Sequence, residues 1–235
     1  MTRSRLSRSV PSALRIPHSA LAGGALLALL AAAPLAAAEL TVTLIDQQGQ
    51  PVGNAVVSVT PLDAPLPPFA ATAPVATVAQ KGGEFSPYVT PVRTGTVVRF
   101  PNEDQVQHHV YSVSKAKPFE IPLYAGNEEH SEVFDKPGVV TVGCNIHDWM
   151  VAYVVVLDTP WFARSGEDGL IRLADLPAGR YRYEVWQPRL AKPLTEEIAF
   201  TADGPAAKRA LTLTLKVDRR VRRALEGGSG GAYKP

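Results

Sequence analysis

The sequence predicts an all-β chain, and three observations predict it. No long stretch carries helical periodicity. Short segments alternate apolar and polar residues instead: Ala55, Val57 and Val59 against Val56, Ser58 and Thr60; Val140, Val142 and Cys144 against Val139, Thr141 and Gly143; Tyr181, Tyr183 and Val185 against Arg182, Glu184 and Trp186. Gly, Pro, Asn and Asp punctuate these segments, which is the pattern of β-sandwiches.

The elements follow in order. Residues 1–38 read as an export signal. Arg3, Arg5, Arg8 and Arg15 precede a Leu/Ala/Gly run from Leu21 to Ala33, and Ala36-Ala37-Ala38 offers a cleavage site before Glu39. The run is too short to cross a bilayer, which needs roughly 20 apolar residues. After cleavage no membrane span is expected, and the mature chain is expected in the periplasm. Residues 39–60 carry two strands around the turn Asp46-Gln47-Gln48-Gly49-Gln50-Pro51. Residues 61–79 are rich in Pro and Ala and read as an extended linker or long irregular loop. Residues 80–158 form the central β-block; within it Val151 to Leu157 is apolar throughout, as in a strand covered on both faces. Residues 160–217 form a further β-block, and 218–235 a flexible, Gly-rich tail.

Charge excludes some partners. The chain has 24 Lys+Arg and 22 Asp+Glu, and four of the arginines leave with the signal, so 20 face 22 in the mature chain. Nothing points to nucleic acid, with Arg219-Arg220-Val221-Arg222-Arg223 a solvated tail. Roughly 200 mature residues bury one sizeable core or two small ones.

The chemistry gathers around the single cysteine. Cys144-x2-His147-x2-Met150 lies between two apolar runs, and thiolate, imidazole and thioether are donors that suit copper. One further imidazole would complete a trigonal site with a weak axial thioether, and the doublet His108-His109 offers it. Strand neighbours face opposite sides, so one of the two reaches the metal. Zinc would use Cys and two His but gains little from a thioether. Ligation also removes the liability of a free exported thiol. His130 is expected as an exposed loop side chain, and Asp148, Glu103 and Asp104 as surface charges.

In order and spacing these elements resemble the cupredoxin family: Phe85-x-Pro87-x-Val89, Gly95-x-x-Val98-x-Phe100-x-Asn102, His108, Phe134-x-x-Pro137-Gly138, then Cys144-x2-His147-x2-Met150. The short ligand loop is most like that of the amicyanin branch. The resemblance covers residues 80–158 and implies a Greek-key sandwich. It also implies one copper (Cu+/Cu2+) per chain on His108, Cys144, His147 and Met150, with His109 as runner-up. At the position of His109 the family commonly has an Asn bonded across to the ligand loop. Implied too is a type 1 electron carrier rather than an enzyme, exchanging electrons with a periplasmic donor and acceptor through His147 near Trp149. A copper chaperone or store, or a non-redox interaction protein on the same scaffold, is the alternative.

The flanks have a likeness of their own. Val42-x-Leu44-x-Asp46-x-x-Gly49-x-Pro51 and Gly169-x-Ile171-x-Leu173-x-Asp175-Leu176-Pro177-x-Gly179-x-Tyr181 are similar to the ends of a transthyretin-like, carboxypeptidase-regulatory sandwich. A similar two-part layout occurs in exported proteins called methylamine utilization proteins. The expectation is a cupredoxin sandwich inserted into a second, Ig/transthyretin-like one.

Overall fold

The computed structural model describes residues 38–69, 72–126, 128–201 and 204–218, and in them the chain is all-β, without a helix. The strands run β1 (Ala38–Asp46), β2 (Val56–Pro61), β3 (Val75–Thr77), β4 (Ala79–Lys81), β5 (Glu84–Ser86), β6 (Val89–Arg93), β7 (Thr96–Pro101), β8 (His108–Ser112) and β9 (Phe119–Tyr124). They continue with β10 (Glu129–Phe134), β11 (Gly138–Gly143), β12 (Val151–Leu157), β13 (Phe162–Arg164), β14 (Leu170–Leu176), β15 (Gly179–Trp186), β16 (Leu194–Phe200) and β17 (Ala207–Leu213). The expected signal and tail lie outside the described residues except for Ala38 and Asp218. Ala38, expected as the last residue of the signal, is the first residue of β1. It is buried and pairs with Leu176, because a small apolar side chain fits the inward phase of that strand.

Two sandwiches result. One packs the sheet β14-β1-β17 on the sheet β13-β2-β15-β16. Its core takes Leu40, Val42 and Leu44 from β1, Val57 and Val59 from β2, and Tyr181, Tyr183 and Val185 from β15. Each of these inward positions contributes roughly 1.5–3 kcal/mol of apolar burial. β1 pairs antiparallel with β14 and parallel with β17, while β2 pairs with β13 and β15. Strands from both ends of the described chain thus share one core. Asp46 shapes the turn after β1, its Oδ1 accepting from the N–H of Gln48 and of Gln50 at 2.9 Å each.

Between these strands in sequence lies the other sandwich, the five-stranded sheet β6-β12-β11-β8-β9 facing β10-β7-β3. Phe85, Val98, Phe100, Val110, Phe134, Val140, Val142, Ala152, Val154 and Val156 fill it. The hairpin β4-β5 adjoins its rim. The stretch 61–79, expected as an extended linker or long irregular loop, carries β3, which pairs in parallel with β7. Three residues directly after a proline-rich stretch give too short an alternation to stand out in sequence.

Both sandwiches belong to one compact unit. Val56, Val89 and Val155 form a buried cluster where they meet, with Tyr88, Tyr153, Leu157 and Trp186 packed against it. The rings of Tyr88 and Tyr153 lie 5.4 Å apart, and those of Tyr153 and Trp186 5.5 Å apart. This contact explains the unbroken apolar run of β12. Val154 and Val156 face their own core, and Val155 faces the neighbouring sandwich.

Candidate metal centre

Two places in the chain converge at one rim of the central sandwich. The first is the start of β8. His108 and Val110 point inward and are fully buried, while His109 points the other way. Opposite this turn β9 carries one residue more than β8, since His108 pairs with Tyr124 and Val110 with Ile121. Pro122 sits in that bulge, where its missing N–H does no harm. Asn102 organises the loop before β8. Its amide donates to the carbonyls of Val106 (2.8 Å) and Tyr124 (3.1 Å) and accepts from the N–H of Asp104 (2.9 Å).

The second place is the loop after β11. Alternation along β11 turns Val140, Val142 and Cys144 inward. The chain then folds back on itself. Met150 N–H donates to His147 O at 2.9 Å and Cys144 N–H to Met150 O at 3.3 Å, so both strands grip a tight loop. Beside the cysteine, Gly143 lets the Tyr111 ring come close: a Cβ there would stand 3.2 Å from it, so the ring would have to shift by a few tenths of an ångström.

The ligating atoms of His108, Cys144 and His147 all lie within 4.8 Å of one another. The two Nδ1 atoms face each other at 3.2 Å, and Cys144 Sγ is 3.6 Å from His147 Nδ1. Two imidazole nitrogens each about 2 Å from one first-row ion, opened by about 105°, lie about 3.2 Å apart. The donors are therefore spaced to hold such an ion. Met150 is buried in the same apolar cluster as Cys144, under the ligand loop. His147 is the half-buried member, with exposed Ile146 next to it and Trp149 5.2 Å away ring to ring.

Electrostatics prepares the sulfur as a ligand. Burial alone would raise the Cys144 thiol. Hydrogen bonds from His108, from the backbone N–H of His109 and Ile146, and from His147 outweigh it and bring the thiol down to about 6. Burial likewise pulls His108 down, but bonds to Cys144 and Asp104 prevail and raise it. The thiolate is the metal-binding form, so a soft anion stands ready against imidazole nitrogens.

Other expected residues fall elsewhere. His109, the runner-up, turns away to Glu120, with Nε2 3.0 Å from Oε1 and its ring 5.6 Å from that of Tyr111. Its buried Nδ1 has no hydrogen-bond partner, so the bond that the family's Asn makes to the ligand loop is not formed here. His130 lies in β10 rather than in a loop, its ring 4.6 Å from the Tyr124 ring. Glu103 is a surface charge paired with Lys81 (3.0 Å), and Asp148 is exposed. Asp104 is not a surface charge. Its side chain is 9% exposed, and Oδ2 stands 2.8 Å from His108 Nε2. Sequence reasoning missed this contact; the one signal was an acid four residues before the histidine, a spacing too common to single out. The Gly82-Gly83 turn was missed as well. It gives Asp104 two backbone N–H groups and takes the indole N–H of Trp149 at Gly83 O (3.0 Å).

Comparison with known proteins adds the following. No protein-family model matches the chain, and no curated relative does. Among solved structures it is similar to a purple cupredoxin from Nitrosopumilus maritimus, at 26% identity and a TM-score of 0.32, over 35% of this chain and 99% of that one. It is also similar to a copper-containing nitrite reductase from Thermus scotoductus, at 27% identity and a TM-score of 0.34, over 42% of this chain but 25% of the enzyme. An amicyanin variant matches at 21% identity and a TM-score of 0.34, over 43% of this chain and 99% of its own. Likeness at this level assigns no function. What the protein does has to be read from its own side chains.

Proposed function

We propose that the protein is a type 1 copper protein that carries single electrons between redox partners outside the cytoplasm. The observation that carries this reading is the convergence of His108 Nδ1, His147 Nδ1 and Cys144 Sγ, all within 4.8 Å, from two distant parts of the chain. The donor set is two imidazoles and a thiolate, with the buried thioether of Met150 as the axial candidate, and it suits copper better than zinc.

Copper held there would supply reversible uptake of one electron. The chain supplies the rest. Strands β8, β11 and β12 fix the donors in a packed sandwich, so the cage changes little between oxidation states. Two backbone N–H groups directed at Cys144 Sγ stabilise its negative charge, which tunes the potential. Burial of His108, Cys144 and Met150 keeps water from the ligands, while His147 reaches the surface. Exposed Ile146 and Val106 give the same end apolar contact area, where a partner could approach. Storage or chaperoning fits less well, because three of the four candidate ligands are sealed from exchange.

The N-terminal pattern supports export to the periplasm. The second sandwich, with its transthyretin-like sequence pattern, is read as a structural or docking module. The test of the main reading is a spectrum of purified protein loaded with Cu(II). An intense blue or purple band that bleaches with a mild reductant and disappears in Cys144→Ser is expected. A colourless, redox-silent complex would end the proposal.

A further inference from the structure

We propose that Asp104 is the positioning residue of this centre: seated on the Gly82-Gly83 turn, its carboxylate holds the proton of His108 on Nε2 and so presents Nδ1 to the metal. This rests on the copper reading above and adds to it a residue from outside the ligand set.

Three donors converge on one carboxylate. Gly82 N–H reaches Oδ1 at 2.6 Å, Gly83 N–H reaches Oδ2 at 3.0 Å, and His108 Nε2 lies 2.8 Å from Oδ2. The acid is itself held, since its backbone N–H donates to Asn102 Oδ1 at 2.9 Å. The turn is equally constrained. Lys81 pairs with Glu84, leaving two residues at the tip, both with positive φ (64° and 71°). Glycine takes that conformation without strain, and the resulting turn aims two successive N–H groups at the same acceptor. On its other side Gly83 O accepts from Trp149, whose own ring lies against His147. The tip of the hairpin thus ties the loop before His108 to the loop that carries His147.

A carboxylate accepts and does not donate, so His108 meets it only with a proton on Nε2. In the neutral ring the lone pair of Nδ1 is then left to the metal, and the ring cannot turn over without breaking the contact. Each oxygen already accepts from a backbone N–H, Gly82 on Oδ1 and Gly83 on Oδ2, so the carboxylate faces His108 as an acceptor. An amide cannot stand in. With one oxygen against three donors, Asn at this position must set its NH2 against a backbone N–H whichever way it faces.

The experiment compares wild type, Asp104→Asn and, as a surface control one residue away, Glu103→Gln. Long-range nitrogen–proton NMR of the metal-free proteins in alkaline buffer reports which ring nitrogen of His108 carries the proton. Copper affinity is measured by competition with a chelator. Wild type and Glu103→Gln should show Nε2–H alone. Asp104→Asn should show a mixture or Nδ1–H at His108, with His147 unchanged, and bind copper roughly 10–100-fold more weakly. An unchanged His108 proton in Asp104→Asn overturns the proposal, and weaker binding without that change overturns it too, since the role would then be structural. So does a displaced proton with unaltered affinity. If Asp104→Asn does not fold, Asp104→Ser is read in the same way. The NMR arm needs no metal, so a protein that never turns blue sinks the copper reading and leaves the proton placement decided on its own.

Discussion

Replacing Asn102 with Ala removes three hydrogen bonds at one stroke, and the consequence can be worked through. The residue is 3% exposed. Its amide joins the carbonyls of Val106 and Tyr124, and its oxygen holds the N–H of Asp104. Each bond contributes about 0.5–1.5 kcal/mol net, and a buried partner left unsatisfied costs about 1–3 kcal/mol. The Tyr124 carbonyl is enclosed, whereas the Val106 and Asp104 groups sit in a loop that water can reach once the side chain is gone. One fully orphaned group and two partly rescued ones give about 2–4 kcal/mol, against typical domain stabilities of about 5–15 kcal/mol. Urea unfolding of the metal-free variant measures this directly. The same loop carries Asp104 and His108, so the increase in melting temperature on adding metal should shrink in Asn102→Ala as binding to the folded state weakens. A loss below about 1 kcal/mol refutes the stability argument. A full wild-type response to metal in a destabilised variant refutes the claim that Asn102 organises the site.

Further outcomes are expected elsewhere. In the metal-free protein the Cys144 thiolate, followed by its ultraviolet absorbance, should titrate near 6 rather than near its ordinary value of 9.0. Because the folded value is depressed, the stabilisation from this group is complete above about 9 and is lost as the pH falls toward 6; a midpoint above about 8 refutes the hydrogen-bond account. His108, which burial lowers but its bonds to Cys144 and Asp104 raise on balance, acts in the opposite sense and loses its share as the pH rises. His108→Ala should abolish copper colour while His109→Ala keeps it, since His109 faces Glu120; colour loss in both would reopen the ligand assignment. Trp186→Ala should loosen the contact between the sandwiches, lowering stability by about 2–4 kcal/mol given its partial burial. Limited proteolysis should then release a fragment sooner than in wild type, and an unchanged cleavage rate would show that Val56, Val89 and Val155 suffice.

How much was legible in advance varies from residue to residue, for physical reasons. Inward alternation of Val140, Val142 and Cys144 is written in the two-residue period of a strand, and the structure repeats it. The apolar run of β12 announced a strand covered on both faces, though not that Tyr88 and Trp186 help cover the second one. β3 escaped notice because three residues make no pattern. Asp104 was taken for a surface charge because nothing local distinguishes it from Glu103, its neighbour, which is one.

The amino-acid sequence by itself determined the all-β class, the strand phases and the donor types, because periodicity and side-chain chemistry are local properties. It narrowed the distant imidazole to a doublet. Only the tertiary structure decided that His108 faces Cys144 while His109 faces Glu120, and that a carboxylate and a glycine turn brace the ring from behind. Those contacts join residues from 4 to 39 positions apart. Which of them form depends on how separate strands and loops come to rest against one another, and no local rule of the chain encodes that.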